Sequence, residues 1–287
     1  MFKISIIIPY HNNLNQLSSL LNTIPEHPSI EVIIVDDHSD NPLIDVPHSR
    51  AKVIHQLPGK RWAGAARNTG ILNAKGEYLL FADSDDIFTE GAFDVLERLD
   101  VASDLTYFKP TSIRDDGTAS LRHWYYEEMV SNYLNNSDTT ILYKFHVPWS
   151  KLYKREFILR EDIRFDEVIA SNDVLFSLKS AMLCHSFSVF DDVIYCVVES
   201  ANSLTKKKSE IVIDSRFDAL SRYNDFLIER NDKNLAAMSG HLKNACSFGF
   251  SKFMYRFFFC INKGYPIFYG FSHFLRALRY LRKNKVK

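Results

Sequence analysis

The stretch Glu77-Tyr-Leu-Leu-Phe-Ala-Asp-Ser-Asp-Asp86 decides how the chain is read. Tyr78 to Ala82 is a short apolar run with two aromatics, the composition of a buried strand. Polarity reverses at Asp83, and the carboxylates Asp83, Asp85 and Asp86 follow within four residues. In an open α/β sheet, ligands sit beyond the carboxyl ends of the strands, so these acids belong at the floor of a crevice. Crowded carboxylates repel one another unless a cation or a positive side chain neutralises them. Hard oxygen donors two residues apart suit Mg²⁺ or Mn²⁺, particularly when a substrate's phosphates complete the shell. The same residues also read as an Asp-rich turn capping the next helix.

Upstream, Ile4 to Ile8 is continuous and β-branched, as expected of a strand buried on both faces, and Pro9 ends it. The polar loop Tyr10-His11-Asn12-Asn13 follows, then Leu14, Leu17, Leu20, Leu21 and Ile24 at helical spacing, with Asn13 as N-cap. Glu31 to Val35 predicts a second buried strand ending in Asp36-Asp37, and Lys52 to Leu57 a third. Strand, helix and strand joined by short connections give a parallel sheet. A helix is predicted from Ala63 to Ala74, closed by Gly76, with Arg67 projecting from its first turn toward an anion or a base. The first hundred residues thus form a nucleotide-binding-like half with polar clusters at three strand ends: Tyr10-His11-Asn12, Asp36-Asp37 and Asp83-Ser84-Asp85.

Downstream, Glu90 to Leu99 predicts an amphipathic helix, Asp104 to Lys109 a strand and Arg114-Asp-Asp-Gly117 a hairpin turn. Residues 110–205 are less regular and rich in aromatics. Trp124, Tyr125, Tyr126, Tyr133, Tyr143, Phe145 and Trp149 read either as a platform for an acceptor's ring faces or, position by position, as core. Ser171 or Asn172 caps a helix running to Leu183, which puts Asp173 in its first turn. A carboxylate there is either a partner of the helix dipole or a general base facing the cleft. Phe187 to Val198 predicts a strand, Lys206-Lys-Lys208 a basic loop able to fold over a diphosphate, and Ile211 to Ile228 a helix.

The 287 residues carry 35 basic and 35 acidic side chains, a balance that argues against a general nucleic-acid-binding surface. The balance is uneven: His241 to Lys287 holds ten Lys/Arg, no Asp/Glu and thirteen Phe/Tyr. Between Phe271 and Lys283, Phe271, Phe274, Leu275, Leu278 and Leu281 share one helical face, while Arg276, Arg279, Arg282 and Lys283 fall largely on the other. That pattern suits an in-plane helix on anionic lipid or a helix packed on the body or on another subunit. Cys184, Cys196, Cys246 and Cys260 show no C-x-x-C spacing and read as buried free thiols of a reducing compartment. The N-terminus reads as a strand rather than a signal peptide, and no apolar run is long enough to span a bilayer. The expected location is the cytoplasm, peripheral on the inner face of the cell membrane.

With these clusters in place the chain resembles the inverting glycosyltransferases of family 2. The matching residues are Ile6-Ile-Ile-Pro-Tyr10, Val35-Asp-Asp-His-Ser39, Gly64-Ala-Ala-Arg-Asn-Thr-Gly70, Ala82-Asp-Ser-Asp-Asp86, Pro148-Trp-Ser-Lys-Leu-Tyr153 and Asn172-Asp173. The resemblance implies a GT-A fold: an α/β, Rossmann-like nucleotide-binding half with a mixed, mainly parallel sheet. It covers residues 1–205, divided into a nucleotide-sugar half (1–100) and an acceptor half (101–205), and leaves 206–287 as a helical C-terminal region. It also implies a nucleotide-sugar donor, most often UDP-linked. Pro9, Tyr10 and Asp37 or Asp36 would line the base with Arg67 beside it. Asp83 would meet the ribose or the metal, next to Ser84, and Asp85 would be the main ligand of Mn²⁺ or Mg²⁺. Asp173 matches the catalytic base, with Asn172 where the family usually has Glu, and Asp162, Asp166 and Glu167 are fallback candidates.

The implied reaction is metal-assisted direct displacement onto a hydroxyl of a glycan or lipid-linked glycan, as in bacterial O-antigen or capsule assembly, and it is compatible with a homo-oligomer. Two rival classes share the acidic strand end. A nucleotidyltransferase would carry a Gly-rich basic loop after its first strand, where this chain has Pro9-Tyr-His-Asn-Asn13. A non-catalytic nucleotide-sugar-binding protein would not need Asp173.

Overall fold

The computed structural model describes residues 3–99, 102–200 and 209–268. The chain forms two compact units, Met1–Lys206 and Lys207–Lys287. In the first, β1 (Ile4–Tyr10) and β2 (Ile30–Asp36) are buried along their whole length. Strand alternation sends Ile6 and Ile8 to one face and Ile7 to the other. The even side packs with Leu17, Leu20 and Leu21 of α1 (Leu14–Leu21), the odd side with Ala66 and Ile71 of α2 (Trp62–Asn73). Two apolar faces on one strand require helices on both sides, which is why the run at the N-terminus is continuous.

The eight-stranded sheet has the order β3-β2-β1-β4-β7-β6-β8-β5. β3 (Ala51–His55), β2, β1 and β4 (Tyr78–Phe81) are parallel. β7 (Lys151–Lys154) is antiparallel to both β4 and β6 (Leu105–Arg114), and β8 (Phe187–Glu199) is parallel to β6. The two-residue β5 (Ile87–Phe88) closes the edge against β8. Strand order reverses between β1 and β4, so the crevice where such sheets bind ligands opens beyond Tyr10 and Phe81.

α3 (Ala92–Arg98) lies with α1, whereas α4 (Trp124–Asn136), α5 (Thr140–Lys144), α6 (Arg155–Arg160) and α7 (Val174–Leu183) share the α2 face. The second unit contains α8 (Glu210–Ile228), α9 (Ser239–Cys246) and α10 (Phe250–Lys263), with Phe217, Met238, Leu242, Cys260 and Tyr265 as its core.

Several local expectations change. β6 runs through Pro110 to Arg114 because the pairing with β8 slips beside the proline, which cannot donate to a ladder. Gly76 does not close α2, whose C-cap is Ala74; it is a close-approach glycine, since a Cβ there would lie 2.6 Å from the Ser5 nitrogen and Oγ. Asp173 precedes α7 at its N-cap instead of sitting in its first turn. Trp124, Phe145 and Trp149 are core, and Tyr125, Tyr126, Tyr133 and Tyr143 are half-buried. All four cysteines are free, but Cys246 is exposed and Cys184 only half-buried. Lys206–Lys208 and the 271–283 segment lie outside the described residues.

Gly70 lets α2 settle onto β1, because an added Cβ would overlap Ile7 Cγ2. Gly70→Ala is therefore expected to cost about 1–3 kcal/mol, seen as a lower urea midpoint with an unchanged m-value.

Candidate functional site

Register sets the first three strand ends level, with Tyr10 opposite Asp36 and Asp36 opposite His55. The main-chain N–H of Asp37 donates to the Tyr10 carbonyl at 2.8 Å. The two adjacent acids then part. Asp36 is buried, and its oxygens accept the Ser39 and Leu43 N–H groups at 2.9 and 2.8 Å. Both of its oxygens are spent on shaping the loop. Asp37 is half-buried; its Oδ2 accepts the Trp62 N–H at 2.7 Å, and its Oδ1 is buried with no donor. Pro9 and Tyr10 are buried in the wall beside it.

At the end of β4 one oxygen from each of Asp83, Asp85 and Asp86 falls within 4.8 Å of the others. Tyr195 organises the turn: its hydroxyl accepts the Asp83 N–H at 2.9 Å and donates to Asp86 Oδ2 at 2.9 Å. The Val198 N–H donates to the other Asp86 oxygen at 2.8 Å. Asp86 is thus a buried anchor, whereas Asp83, Ser84 and Asp85 are half-buried at the crevice. Burial, and then the Asp83 charge, push Asp85 up to about 6. Burial and both neighbours push Asp86 well above the usual carboxylate range. An all-carboxylate set whose charges repel fits a hard divalent cation, with Asp83 and Asp85 as the groups able to hold it.

Arg67 links this cluster to the opposite wall. One guanidinium nitrogen pairs with Asp83, and the other donates to Asn172 Oδ1 at 2.9 Å. The side chain is buried mid-helix over the Phe165 ring, at 5.3 Å from its centroid. That position replaces the first-turn projection expected for Arg67. The next residue, Asn68, holds the Phe165 backbone with both ends of its amide, at 2.9 and 3.0 Å. Gly64 allows the same approach, because a Cβ there would overlap the Asp166 carbonyl. Asp173 therefore shares the crevice with the acid cluster. Burial pushes it up to about 6, with Arg67 the strongest opposing influence.

Of the fallback acids, two carry ion pairs and the third a backbone bond beside Asp173. Asp162 is exposed and pairs with Arg164 at 2.6 Å, Glu167 pairs with Lys60 at 2.9 Å, and Asp166 takes the Asn172 carbonyl through its backbone N–H at 3.0 Å.

Three contributors were not read from the sequence. Tyr195 sits in a strand whose pattern gives no hint that its hydroxyl faces the acids. Arg122, before α4, helps hold Asp85 down electrostatically from a loop without periodicity. Lys151, inside the quoted Pro148–Tyr153 motif, is fully buried and donates to the Phe145 carbonyl at 2.6 Å beside the rings of Phe145 and Tyr107. Burial lowers its pKa, and Asp173 pulls it back up.

The family model described as glycosyl transferase family 2 matches residues 5–160. The chain is 30% identical over 225 residues to the poly(ribitol-phosphate) beta-N-acetylglucosaminyltransferase TarP of Staphylococcus aureus (strain N315), spanning 73% of this chain and 68% of that protein. It is 26% identical over 226 residues to the uncharacterized glycosyltransferase EpsJ of Bacillus subtilis (strain 168), covering 71% of this chain and 63%, under two thirds, of EpsJ. The crystal structure of S. aureus TarS 1–349 in complex with UDP-GlcNAc superposes with a TM-score of 0.63 at 19% identity, over 87% of this chain and 74% of that one. The likeness to TarS is one of fold, and with the family match it identifies the architecture as GT-A.

Because the folded-state value of Asp173 lies above its unfolded value near 3.9, its ionisation costs stability as pH rises from about 4 to 6. Asp173→Asn is expected to raise Tm by a few degrees at pH 7.5 and to leave it unchanged at pH 4, measured by thermal shift across that range.

Proposed function

Because this chain belongs to glycosyl transferase family 2, we propose that it transfers a sugar from a UDP-linked donor to a hydroxyl of a bacterial surface glycan, with inversion at the anomeric carbon. Glycosyl transfer from a nucleotide-sugar is the chemistry of the chain. The observation that carries the finer reading is the Arg67 bridge, which joins the Asp83/Asp85 pair to the wall bearing Asp173. A non-catalytic binding protein would not need the half-buried Asp173 carboxylate on that wall. The UDP donor is supported by the complex of TarS with UDP-GlcNAc and by the N-acetylglucosaminyl transfer for which TarP is named.

In this reading Pro9, Tyr10 and Asp37 receive the base, with Asp83, Ser84 and Asp85 along the ribose and diphosphate. Mn²⁺ or Mg²⁺ held by Asp83 and Asp85 would stabilise the charge developing on the leaving diphosphate. Asp173 removes the proton of the acceptor hydroxyl as that oxygen attacks the anomeric carbon from the face opposite the diphosphate. The new glycosidic C–O bond forms as the bond to the diphosphate breaks, and the proton remains on Asp173. A base near 6 is ionised at neutral pH yet still basic enough to accept the proton. Arg67 holds Asp83 and Asn172 at a fixed separation, so donor and base keep their geometry.

Asp173→Asn should lower transfer by about 10²–10⁴-fold while UDP still raises Tm as in the wild type. The wild-type kcat/KM should fall below pH 6 and level off above it. Transfer by Asp173→Asn at a tenth or more of the wild-type rate would remove Asp173 from the mechanism.

The acceptor in this reading is a glycan or a lipid-linked glycan, as in O-antigen or capsule assembly, met at an anionic membrane surface on the cytoplasmic side. No helix among the described residues is long and apolar enough to cross a membrane. The support lies in the second unit. Phe250, Tyr255, Phe258 and Ile261 are exposed on α10, while Lys252, Arg256 and Lys263 pair with Glu210, Asp214 and Asp225. The charged side chains are thereby drawn into pairs, leaving an aromatic stripe that runs on in sequence to the basic 269–287 segment. Tyr255→Asp with Phe258→Asp should reduce flotation with phosphatidylglycerol vesicles severalfold and leave UDP binding unchanged; undiminished flotation would count against the lipid surface.

A further inference from the structure

Lys151 takes no direct part in the transfer chemistry, yet its setting is costly. It stands on β7 with no exposed surface. Its ammonium donates to the Phe145 carbonyl at 2.6 Å and lies 4.8, 5.2 and 6.0 Å from the ring centroids of Phe145, Tyr107 and Tyr153. Aromatic faces and a carbonyl oxygen all present negative charge, so this box suits the ammonium and not the neutral amine. Packing alone would fill it with methionine or leucine, since replacing a buried charge by an apolar group of similar volume is often neutral or stabilising. The lysine therefore answers something other than the core.

One link is mechanical. Ser177, buried in α7, donates its hydroxyl to the His146 carbonyl at 2.6 Å, next along the chain from the carbonyl that Lys151 holds. The Ser177 N–H closes the first turn of α7 on the Asp173 carbonyl at 2.9 Å. Lys151 and Ser177 thus grip neighbouring carbonyls of one segment, and Ser177 also fixes the backbone of Asp173. The Tyr153 hydroxyl adds a third hold, on the Pro148 carbonyl at 3.3 Å.

The other link is charge. Beyond the effect of burial, Asp173 faces Arg67 from α2, Asp83 from the turn after β4 and Lys151 from β7. The phenols of Tyr126 on α4 and Tyr153 on β7 also face it, and burial holds both in the neutral form. Arg67 acts on Asp173 more strongly than Lys151 does, but its guanidinium is also paired with Asp83. Lys151 bonds a carbonyl, and Asp173 is the anion that its charge meets. His146 brings no competing charge near neutral pH, because burial, and then Lys151 and Lys144, push it down to about 4.

We propose that Lys151 is a positioning residue for the transfer step: with Ser177 it fixes the backbone from which Asp173 projects, and its ammonium supplies positive charge to that base from inside the protein. The inference rests on the reading of Asp173 as the base and deepens it.

The test is a double-mutant cycle on the full chain, read by Tm, together with turnover of UDP-GlcNAc in the presence of Mn²⁺ with water as the acceptor. At pH 7.5, Asp173→Asn should raise Tm by about 2–4 °C more in Lys151→Met than in the wild type, since ionised Asp173 has then lost its cation. At pH 4, with Asp173 protonated, the two gains should be equal. Lys151→Met should lower kcat at least about tenfold at pH 7, with KM for UDP-GlcNAc within a few-fold of wild type. The fall of its rate toward acid should begin about one pH unit higher. Ser177→Ala loosens the segment and keeps the charge, so it should lower kcat without moving that fall. Lys151→Gln removes the charge, keeps a donor for the Phe145 carbonyl, and carries both measurements if the methionine variant folds poorly. Equal Tm gains at pH 7.5, or an unmoved pH profile in a folded Lys151 variant, overturn the inference alone. Wild-type turnover by Asp173→Asn overturns the base reading along with it.

Discussion

The guanidinium of Arg67 is buried in the middle of α2, carries its charge over the ring of Phe165, and divides its hydrogen bonds between Asp83 and Asn172. A buried cation left unpaired is costly, so each partner is held where Arg67 needs it. Asp83 belongs to the turn that ends β4, and Asn172 immediately precedes Asp173 at the start of α7. One side chain therefore relates the acid cluster to the opposite wall. Gly64 and Asn68, on the same helix, supply the close approach and the backbone clamp that keep that wall in place.

Around this bridge the protein concentrates negative charge that it only partly neutralises. Asp85 and Asp173 are each pushed up to about 6, and Asp86 higher still. Fold stability alone would favour amides or apolar groups at these positions. Their burial makes sense as readiness for a ligand that brings positive charge or gives up a proton, and the same logic explains why strained and unsatisfied groups gather at these strand ends. Trp62, with its left-handed backbone, and the donorless Asp37 Oδ1 belong to this pattern.

The sequence reading reached the architecture because the apolar runs of β1, β2 and β4 end abruptly in polar residues, and period-two burial on two faces leaves continuous β-branched segments. The acids were legible for the same reason: a strand end marks where a side chain emerges. It could not separate Asp36 from Asp37, since only the course of the following loop decides which carboxylate caps Ser39 and Leu43. Arg67 was located on its helix but its bridging role was not, because its partners lie 16 and 105 residues away. Tyr195 and Lys151 look like ordinary strand residues until β8 and β7 are set beside the acids. The strand predicted over Asp104 to Lys109 runs further, because a slip in register lets it pass through Pro110.

The central claim is that Asp173 and the Asp83/Asp85 pair act on opposite sides of one anomeric carbon. The most direct measurement is proton NMR of the sugar first released from UDP-GlcNAc by the enzyme with Mn²⁺, with water as the acceptor. Single displacement from the face opposite the diphosphate predicts that the β-anomer appears first and the α-anomer only later, at the pace of mutarotation. Initial release of the α-anomer would contradict it, by requiring either a covalent intermediate or attack from the diphosphate side.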